Sequence, residues 1–184
     1  MLHQGTTIVE LLVSTIIFVI IIAAFLGLFS SAFHYQEQSL YLAEFLNHTS
    51  YVSDYVSRAL RMAQKDLAGD CITAKMNFEN PLGDTTKIRF LNYNGKCWEF
   101  LLENEVIKIK KSLTSQSSGL GVVQPLTPTS LSVTNLVFQV SGDGQTNNLQ
   151  PKVTFSLAVD LSGVGLGIAD VQTTISQRQL DVFY

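Results

Sequence analysis

A single acidic residue, Glu10, stands at the edge of an apolar run near the N-terminus. The 19 residues from Leu11 to Phe29 contain neither a charge nor a proline, and a run of this length can cross the hydrocarbon core of a bilayer. A carboxylate beside hydrocarbon costs about 2.5 to 3.5 kcal/mol on insertion scales. Glu10 therefore needs a partner, and a cation on the same or a neighbouring helix would supply one.

The histidines limit the chemistry of the rest of the chain. His3, His34 and His48 are the only ones, and all belong to the N-terminal helical region. A Ser-His-Asp triad, a Cys-His pair and a histidine-ligated zinc site are thus excluded from the C-terminal two-thirds. Twelve Lys and Arg against 15 Asp and Glu give a formal charge of -3, so a nucleic-acid partner is not expected. We predict no metal, no cofactor and no enzymatic activity.

Cys71 and Cys97 are the only thiols, and they either form a structural disulfide or remain as two buried free thiols. An oxidising compartment outside the cytoplasm favours the bridge. The bridge would close a loop of about 27 residues and stabilise the fold by about 3.5 kcal/mol in the chain-entropy model.

Four cations alternate along two predicted strands of the C-terminal part. Lys87 and Arg89 lie on one strand, and Lys108 and Lys110 lie on another. Together they form a basic stripe that phosphates would bind, but the solvated face of a sheet commonly has the same pattern. No aromatic ladder accompanies the cations, which favours the solvated face.

Two groups of oxygen-bearing side chains have alternative interpretations. Asp143, Asn147 and Asn148 offer oxygen ligands that suit calcium, but their spacing differs from an EF-hand loop, and a polar hairpin turn is favoured. Glu99 and Glu103 are a pair of acids that an anchored hydrolase would use, which is a distant alternative.

The prolines separate the chain into an N-terminal part without proline and a C-terminal part that contains all of them. All four prolines follow residue 80, and the segment from Thr6 to Ala68 is interrupted only by Gly27, which predicts one helix of roughly 60 residues, about 90 Å long. Residues 6–33 are apolar on every side, whereas apolar residues in 34–68 recur every three or four positions. We expect a transmembrane half, an amphipathic half, and a helix end near Ala68.

From residue 69 onward the pattern is that of antiparallel strands. Alternation and turn residues predict a three-stranded meander over 87–90, 97–102 and 106–110, with both positive-φ positions of its first turn at Asn94-Gly95. Longer strands follow at 131–140, 152–161 and 171–177, and residues 112–129 are predicted to be a surface loop. The fold class is therefore α+β, with the amphipathic half of the helix packed on an antiparallel head at 69–184.

Three interpretations of the apolar N-terminus compete. A secretory signal peptide expects a cationic start and a shorter apolar centre, and no Lys or Arg precedes Arg58. A plain signal anchor leaves Glu10 unexplained. In the third interpretation, Glu10 forms an ion pair with a cation near the bilayer.

The run from Gly5 through Glu10 to Leu12 resembles the processing site of type IV prepilins, in which a short leader ends in glycine and a glutamate lies five residues beyond it. The resemblance is confined mainly to the first 30 or so residues. It implies that a prepilin peptidase removes residues 1–5, cutting between Gly5 and Thr6, and methylates the new amine of Thr6. Thr6 departs from the phenylalanine usual at that position.

Glu10 and the new amine would form an ion pair on one helix or between neighbouring subunits. At about 4 Å and an effective dielectric near 20 the attraction is roughly 4 kcal/mol before desolvation, enough to set a register between helices. Most of the contact would come from the apolar side chains, and the small residues Ala23 and Gly27 would allow close approach.

The resemblance implies a filament subunit. Its partners would be the prepilin peptidase, other pilin or pseudopilin subunits, and the bacterial-type cytoplasmic membrane, crossed once with the N-terminus inside and the head outside. The filament would be a type IV pilus or a type II secretion filament, extracellular or periplasmic. Residues 55–64 together with residues 173–178 are similar to minor pilins and J-type pseudopilins. The alternative is a membrane-anchored binding domain that does not polymerise.

Overall fold

The computed structural model describes residues 7–143 and 149–178. The predicted α+β, pilin-like architecture is confirmed, because one long apolar helix is followed by antiparallel sheets. The chain divides into two compact units, residues 1–43 and residues 44–184. The helix and strands of the described residues are α1 Ile8–Arg61, β1 Lys87–Leu91, β2 Cys97–Glu103, β3 Val106–Lys111, β4 Val122–Pro125, β5 Val133–Ser141, β6 Lys152–Asp160 and β7 Ile168–Ser176.

The part of α1 that belongs to the second unit is amphipathic, as predicted. Its buried residues are Phe45, Thr49, Val52, Val56 and Leu60, spaced by three or four along one face. They join strand residues in a single hydrophobic core. Leu46, an apolar residue of the same helix, lies outside this face and keeps about half of its surface exposed.

The helix ends at Arg61, so the predicted end near Ala68 was wrong. The residues after Arg61 have side chains that favour a helix, but their backbone groups bond elsewhere in the fold. The Gln64 N–H donates to the Leu91 carbonyl at 2.8 Å, and Asp66 N–H donates to the Met76 carbonyl at 3.0 Å. Tertiary hydrogen bonds thus replace the helical ones.

The first sheet has the order β1-β2-β3-β4, and the predicted meander is confirmed. Its first turn differs from the prediction, because only Gly95 has a positive φ, of 69°, while the Asn92 side-chain oxygen accepts the N–H groups of Asn94 and Lys96. The predicted loop over 112–129 was also wrong in part, since it contains β4, which pairs with β3.

The second sheet has the order β5-β6-β7 and is antiparallel throughout. Its buried face contributes Phe138 and Phe155, whose rings stack 5.5 Å apart. In the first sheet Phe90 and Phe100 stack at 5.6 Å, and Tyr55 of α1 meets the Phe100 ring edge-on at 6.2 Å. Residues of α1 and of both sheets therefore belong to one hydrophobic core.

Candidate functional site

The first candidate surface is the apolar part of α1 in the first unit. Every residue from Thr7 to Glu37 is exposed. The helix is long and apolar enough to cross a membrane, and none of its most apolar stretch is buried in the protein. By length and composition, this feature is compatible with a single-pass membrane anchor.

Glu10 lies in the first turn of α1, where a negative charge interacts favourably with the helix dipole. The Glu10 N–H donates to the Thr7 side-chain oxygen at 3.4 Å, so Thr7 caps the helix. Thr7 and Glu10 have the Thr-x-x-Glu spacing of a capping box, a local signal that our sequence analysis missed. Gly5 and Thr6, the predicted processing residues, lie outside the described residues.

Three hydroxyl groups in and next to the apolar segment donate to backbone carbonyls of the helix itself. Ser14 donates to the Glu10 carbonyl at 2.8 Å, Thr15 donates to the Leu12 carbonyl at 2.8 Å, and Ser31 donates to the Gly27 carbonyl at 3.1 Å. These hydrogen bonds need no water, so the segment tolerates an apolar environment.

Cys71 and Cys97 form a disulfide, and the prediction of a bridge is confirmed. Their Cα atoms are 5.4 Å apart, and both residues are buried beside Ile72 in a small apolar cluster. The bridge joins the loop after α1 to the start of β2. It therefore holds the segment that follows the helix against the first sheet.

The same loop is held by a buried carboxylate that sequence analysis did not identify. Asp66 accepts the N–H groups of Ala68, Gly69, Cys71 and Ile72 at 2.8 to 3.1 Å. Burial raises the pKa of Asp66, but the four N–H donors outweigh burial and hold the pKa below its ordinary value. No local pattern marks this role, because it depends on how residues 66–72 fold back.

The predicted basic stripe lies on β1 and β3, on either side of β2, but carboxylates neutralise most of it. Lys87 contacts Asp84 at 2.9 Å, Arg89 contacts Glu99 at 2.6 Å, and Lys108 contacts Glu103 at 2.8 Å. A mixed-sign surface of this kind does not attract a polyanion strongly, so the solvated-face interpretation is supported.

The interaction with Asp84 also changes the ionisation of Lys87. The side-chain hydrogen bond from Lys87 to Asp84 raises the lysine pKa. The hydrogen bonds from Thr86 and Lys87 lower the Asp84 pKa to about 2.

Glu99 and Glu103 do not meet as a pair of acids. They are four residues apart on β2, which separates their backbones by about 13 Å, more than a glycosidase pair requires. Each of the two is instead bound to a cation.

The predicted calcium ligands are only partly described. Asp143 is buried, and its carboxylate accepts the Asn77 N–H at 3.1 Å. Asn147 and Asn148 lie outside the described residues. Within residues 7–143 and 149–178, no group of three His, Cys, Asp or Glu side chains is arranged to hold a metal ion.

The second candidate surface is a groove of about 630 Å³ that the C-terminal part of α1 forms with the head, and it is lined mainly by apolar atoms. It brings the C-terminal part of α1 together with Tyr93, Trp98 and Arg178. No local pattern in the sequence indicates this site, because its residues come from three distant segments. Its volume is typical of sites that bind small molecules or a few side chains.

Comparison with protein-family models, with curated proteins and with solved structures finds no match. Two surfaces therefore bear on function, the exposed apolar part of α1 with Glu10 at its start and the groove in the head.

Proposed function

We propose that this chain is a structural subunit of a type IV pilus or of a type II secretion filament. A prepilin peptidase cuts between Gly5 and Thr6 and methylates the amine of Thr6. The subunit then assembles with others through α1, while the head stays outside the cytoplasmic membrane. Its function is assembly rather than catalysis.

One observation carries the proposal: α1 exposes an apolar surface around its whole circumference, with a single carboxylate at its start. From Ile8 to Gln36 the only charged residue is Glu10. Soluble monomers rarely expose an apolar surface of this extent. Lipid acyl chains cover this apolar surface before assembly, and neighbouring helices cover it in a filament.

Glu10 supports the proposal because its charge has no partner among the described residues. Its N–H is bound by Thr7, but no described cation contacts its carboxylate. The amine of a processed Thr6, in the same subunit or the next, is the cation that the resemblance implies. An ion pair at this depth would select one register between adjacent helices.

Gly27 also supports close helix contact. A Cβ atom added at this position would meet no atom within 4 Å in the chain itself. The missing side chain therefore has no packing role within this chain. A small residue at that position lets another helix backbone approach closely.

The first test is intact mass spectrometry of the protein made in cells that contain a prepilin peptidase and the filament machinery. We expect a chain that begins at Thr6 and carries one methyl group. A chain that still begins with Met1, in cells where a known prepilin is processed, would refute the proposed processing.

The second test separates the charge of Glu10 from its position in the helix cap. Glu10→Gln keeps a capping-box residue but removes the charge, so we expect normal cleavage and at least about tenfold less subunit in sheared filaments, equal to about 1.4 kcal/mol. Thr7→Ala removes the cap oxygen and keeps the charge, and it should incorporate nearly as well as the wild type. Equal incorporation of Glu10→Gln and wild type would exclude the charge-register mechanism.

The groove in the head favours one alternative function, a membrane-anchored binding domain that does not polymerise. Both functions need the apolar helix, but only the filament subunit needs processing and self-association. Unprocessed, monomeric protein in the native membrane would favour the anchored domain.

A further inference from the structure

The groove has an aromatic lining. Tyr51 and Tyr55, one helical turn apart on α1, line it together with Tyr93 and Trp98. The Lys111 Nζ atom lies 4.9 Å from the centre of the Trp98 ring and 5.9 Å from the centre of the Tyr55 ring. The groove therefore offers ring surface to an apolar or aromatic group.

Hydrogen bonds between distant segments hold the walls of the groove together. The Gln64 N–H donates to the Leu91 carbonyl at 2.8 Å, and the Gln64 side-chain amide donates to the Tyr93 carbonyl at 3.1 Å. The Arg178 N–H donates to the Arg61 carbonyl at 2.9 Å. These bonds tie the end of α1 to the turn after β1 and to the segment after β7. The groove is thus formed by the fold itself, as binding sites for small molecules usually are.

Positive charge predominates in the groove. Among the described residues that line it, three are cations and one is an acid: Arg58, Arg61, Arg178 and Asp54. None of the three guanidinium groups forms an ion pair with another described residue. The charge of the groove therefore favours an anionic ligand.

Asn92 adds a buried donor to the same groove. It lines the groove, and only 2% of its surface is exposed. Its side-chain oxygen accepts the N–H groups of Asn94 and Lys96, both at 2.9 Å, which assigns the orientation of the amide. Its Nδ2 atom has no acceptor among the described residues. A buried donor without an acceptor is uncommon, and an oxygen atom of a ligand would supply the acceptor.

We propose that the groove binds a small organic acid that has an aromatic or branched apolar body. The body packs against Tyr55 and Trp98, and the carboxylate pairs with the arginines and accepts a hydrogen bond from Asn92. The lining is mainly apolar, so it suits an apolar acid better than a sugar or a polyphosphate. This inference is independent of the filament proposal, because it concerns the groove alone.

Trp98 reports on the groove directly, since it is the only tryptophan in the chain. The test titrates the full chain, held in dodecyl maltoside micelles, with 4-phenylbutyrate and follows Trp98 emission. Two compounds with the same body, 4-phenylbutan-1-ol and 4-phenylbutylamine, are the matched controls.

We expect a saturable change with the acid, with a Kd of about 1 mM or lower, binding of the alcohol that is weaker by at least about tenfold, and no saturable change with the amine. Equal affinity for the acid and the alcohol would overturn the proposal, because the groove would then recognise only an apolar body. The absence of a saturable change up to about 10 mM acid would overturn it as well.

A pair of exposed arginines tests the recognition of charge. Arg58→Gln/Arg61→Gln should weaken binding of the acid by at least about tenfold and change binding of the alcohol by less than about twofold. The control Lys75→Gln/Lys152→Gln removes two exposed cations outside the groove and should change binding of the acid by less than about twofold. Equal effects of the two double variants would overturn the proposal, because only the total charge would then matter.

Asn92 is tested by a variant that keeps its role in the turn. Asn92→Asp retains an oxygen for the N–H groups of Asn94 and Lys96 but removes the donor, so it should weaken binding of the acid by at least about tenfold. Asn94→Asp makes the same charge change at an exposed position and should weaken binding by less than about twofold. Unchanged affinity of Asn92→Asp would overturn the proposal that Asn92 binds the carboxylate.

Discussion

Removal of the Cys71–Cys97 disulfide should cost the head a large part of its stability. The bridge links residues 26 positions apart, so reduction frees a loop of about 27 residues in the unfolded chain. The chain-entropy model gives a loss of about 3.5 kcal/mol in the free energy of unfolding for this loop length. This loss is a large fraction of the 5 to 15 kcal/mol by which a whole domain is usually stable.

The assay is urea unfolding of the full chain in lipid nanodiscs, followed by Trp98 fluorescence. With a slope of about 2 kcal/mol per molar urea, the double variant Cys71→Ala/Cys97→Ala should unfold at about 2 M lower urea than the wild type. Reduced wild-type protein is the matched control, because it keeps both buried sulfur atoms and loses only the bond. It should unfold near the midpoint of the double variant.

The bridge and Asp66 should act together, because both hold the loop after α1. Asp66 binds the Cys71 N–H at 2.8 Å, so the two effects share one residue. We expect Asp66→Asn to cost less in the chain without the bridge than in the bridged chain.

Reduction of the bridge that lowers the free energy of unfolding by less than about 1 kcal/mol would refute the loop-closure reasoning.

Three further predictions concern the head, and each uses the same unfolding assay. Asp66→Asn should lower the free energy of unfolding by about 2 kcal/mol at pH 7. The difference from wild type should shrink as the pH falls below about 4, because the pKa of Asp66 in the folded state lies below its ordinary value of about 3.9. A difference in stability that grows in acid would contradict this prediction. Arg89→Met should cost about 2 to 3 kcal/mol because it leaves the buried Glu99 carboxylate unpaired, and the double variant with Glu99→Leu should be more stable than Arg89→Met alone; an equal or lower stability would argue against a buried-charge penalty. Leu60→Ala should cost about 2 to 5 kcal/mol, whereas Leu46→Ala on the same helix should cost less than about 0.5 kcal/mol, and similar losses would mean that the buried face of α1 is misassigned.

Local patterns predicted the elements whose cause lies within a few residues. The meander over β1 to β3 follows from strict alternation, for example at Ile88 and Phe90, both fully buried. The amphipathic part of α1 follows from the spacing of Val52, Val56 and Leu60. The disulfide followed from the presence of only two cysteines together with the compartment that the N-terminus suggests.

The strand β4 was missed because its residues have no buried face. All four residues of Val122–Pro125 are exposed, so no alternation of burial marks the segment, and hydrogen bonds to the edge of β3 make it a strand. The end of α1 was misplaced for a related reason, since Gln64 bonds to Leu91 across the fold instead of continuing the helix.

The amino-acid sequence by itself determined that the N-terminal helix is long, uninterrupted and apolar, with one acid at its start, because composition and the absence of proline act locally along the chain. It also determined that the remainder is antiparallel β structure with one bridge available. Only the tertiary structure decided where Asp66 finds its four N–H donors and how Trp98, Arg58 and Arg178 form one groove. Those contacts join residues far apart in sequence, and their geometry depends on how helix and sheets pack in a common core.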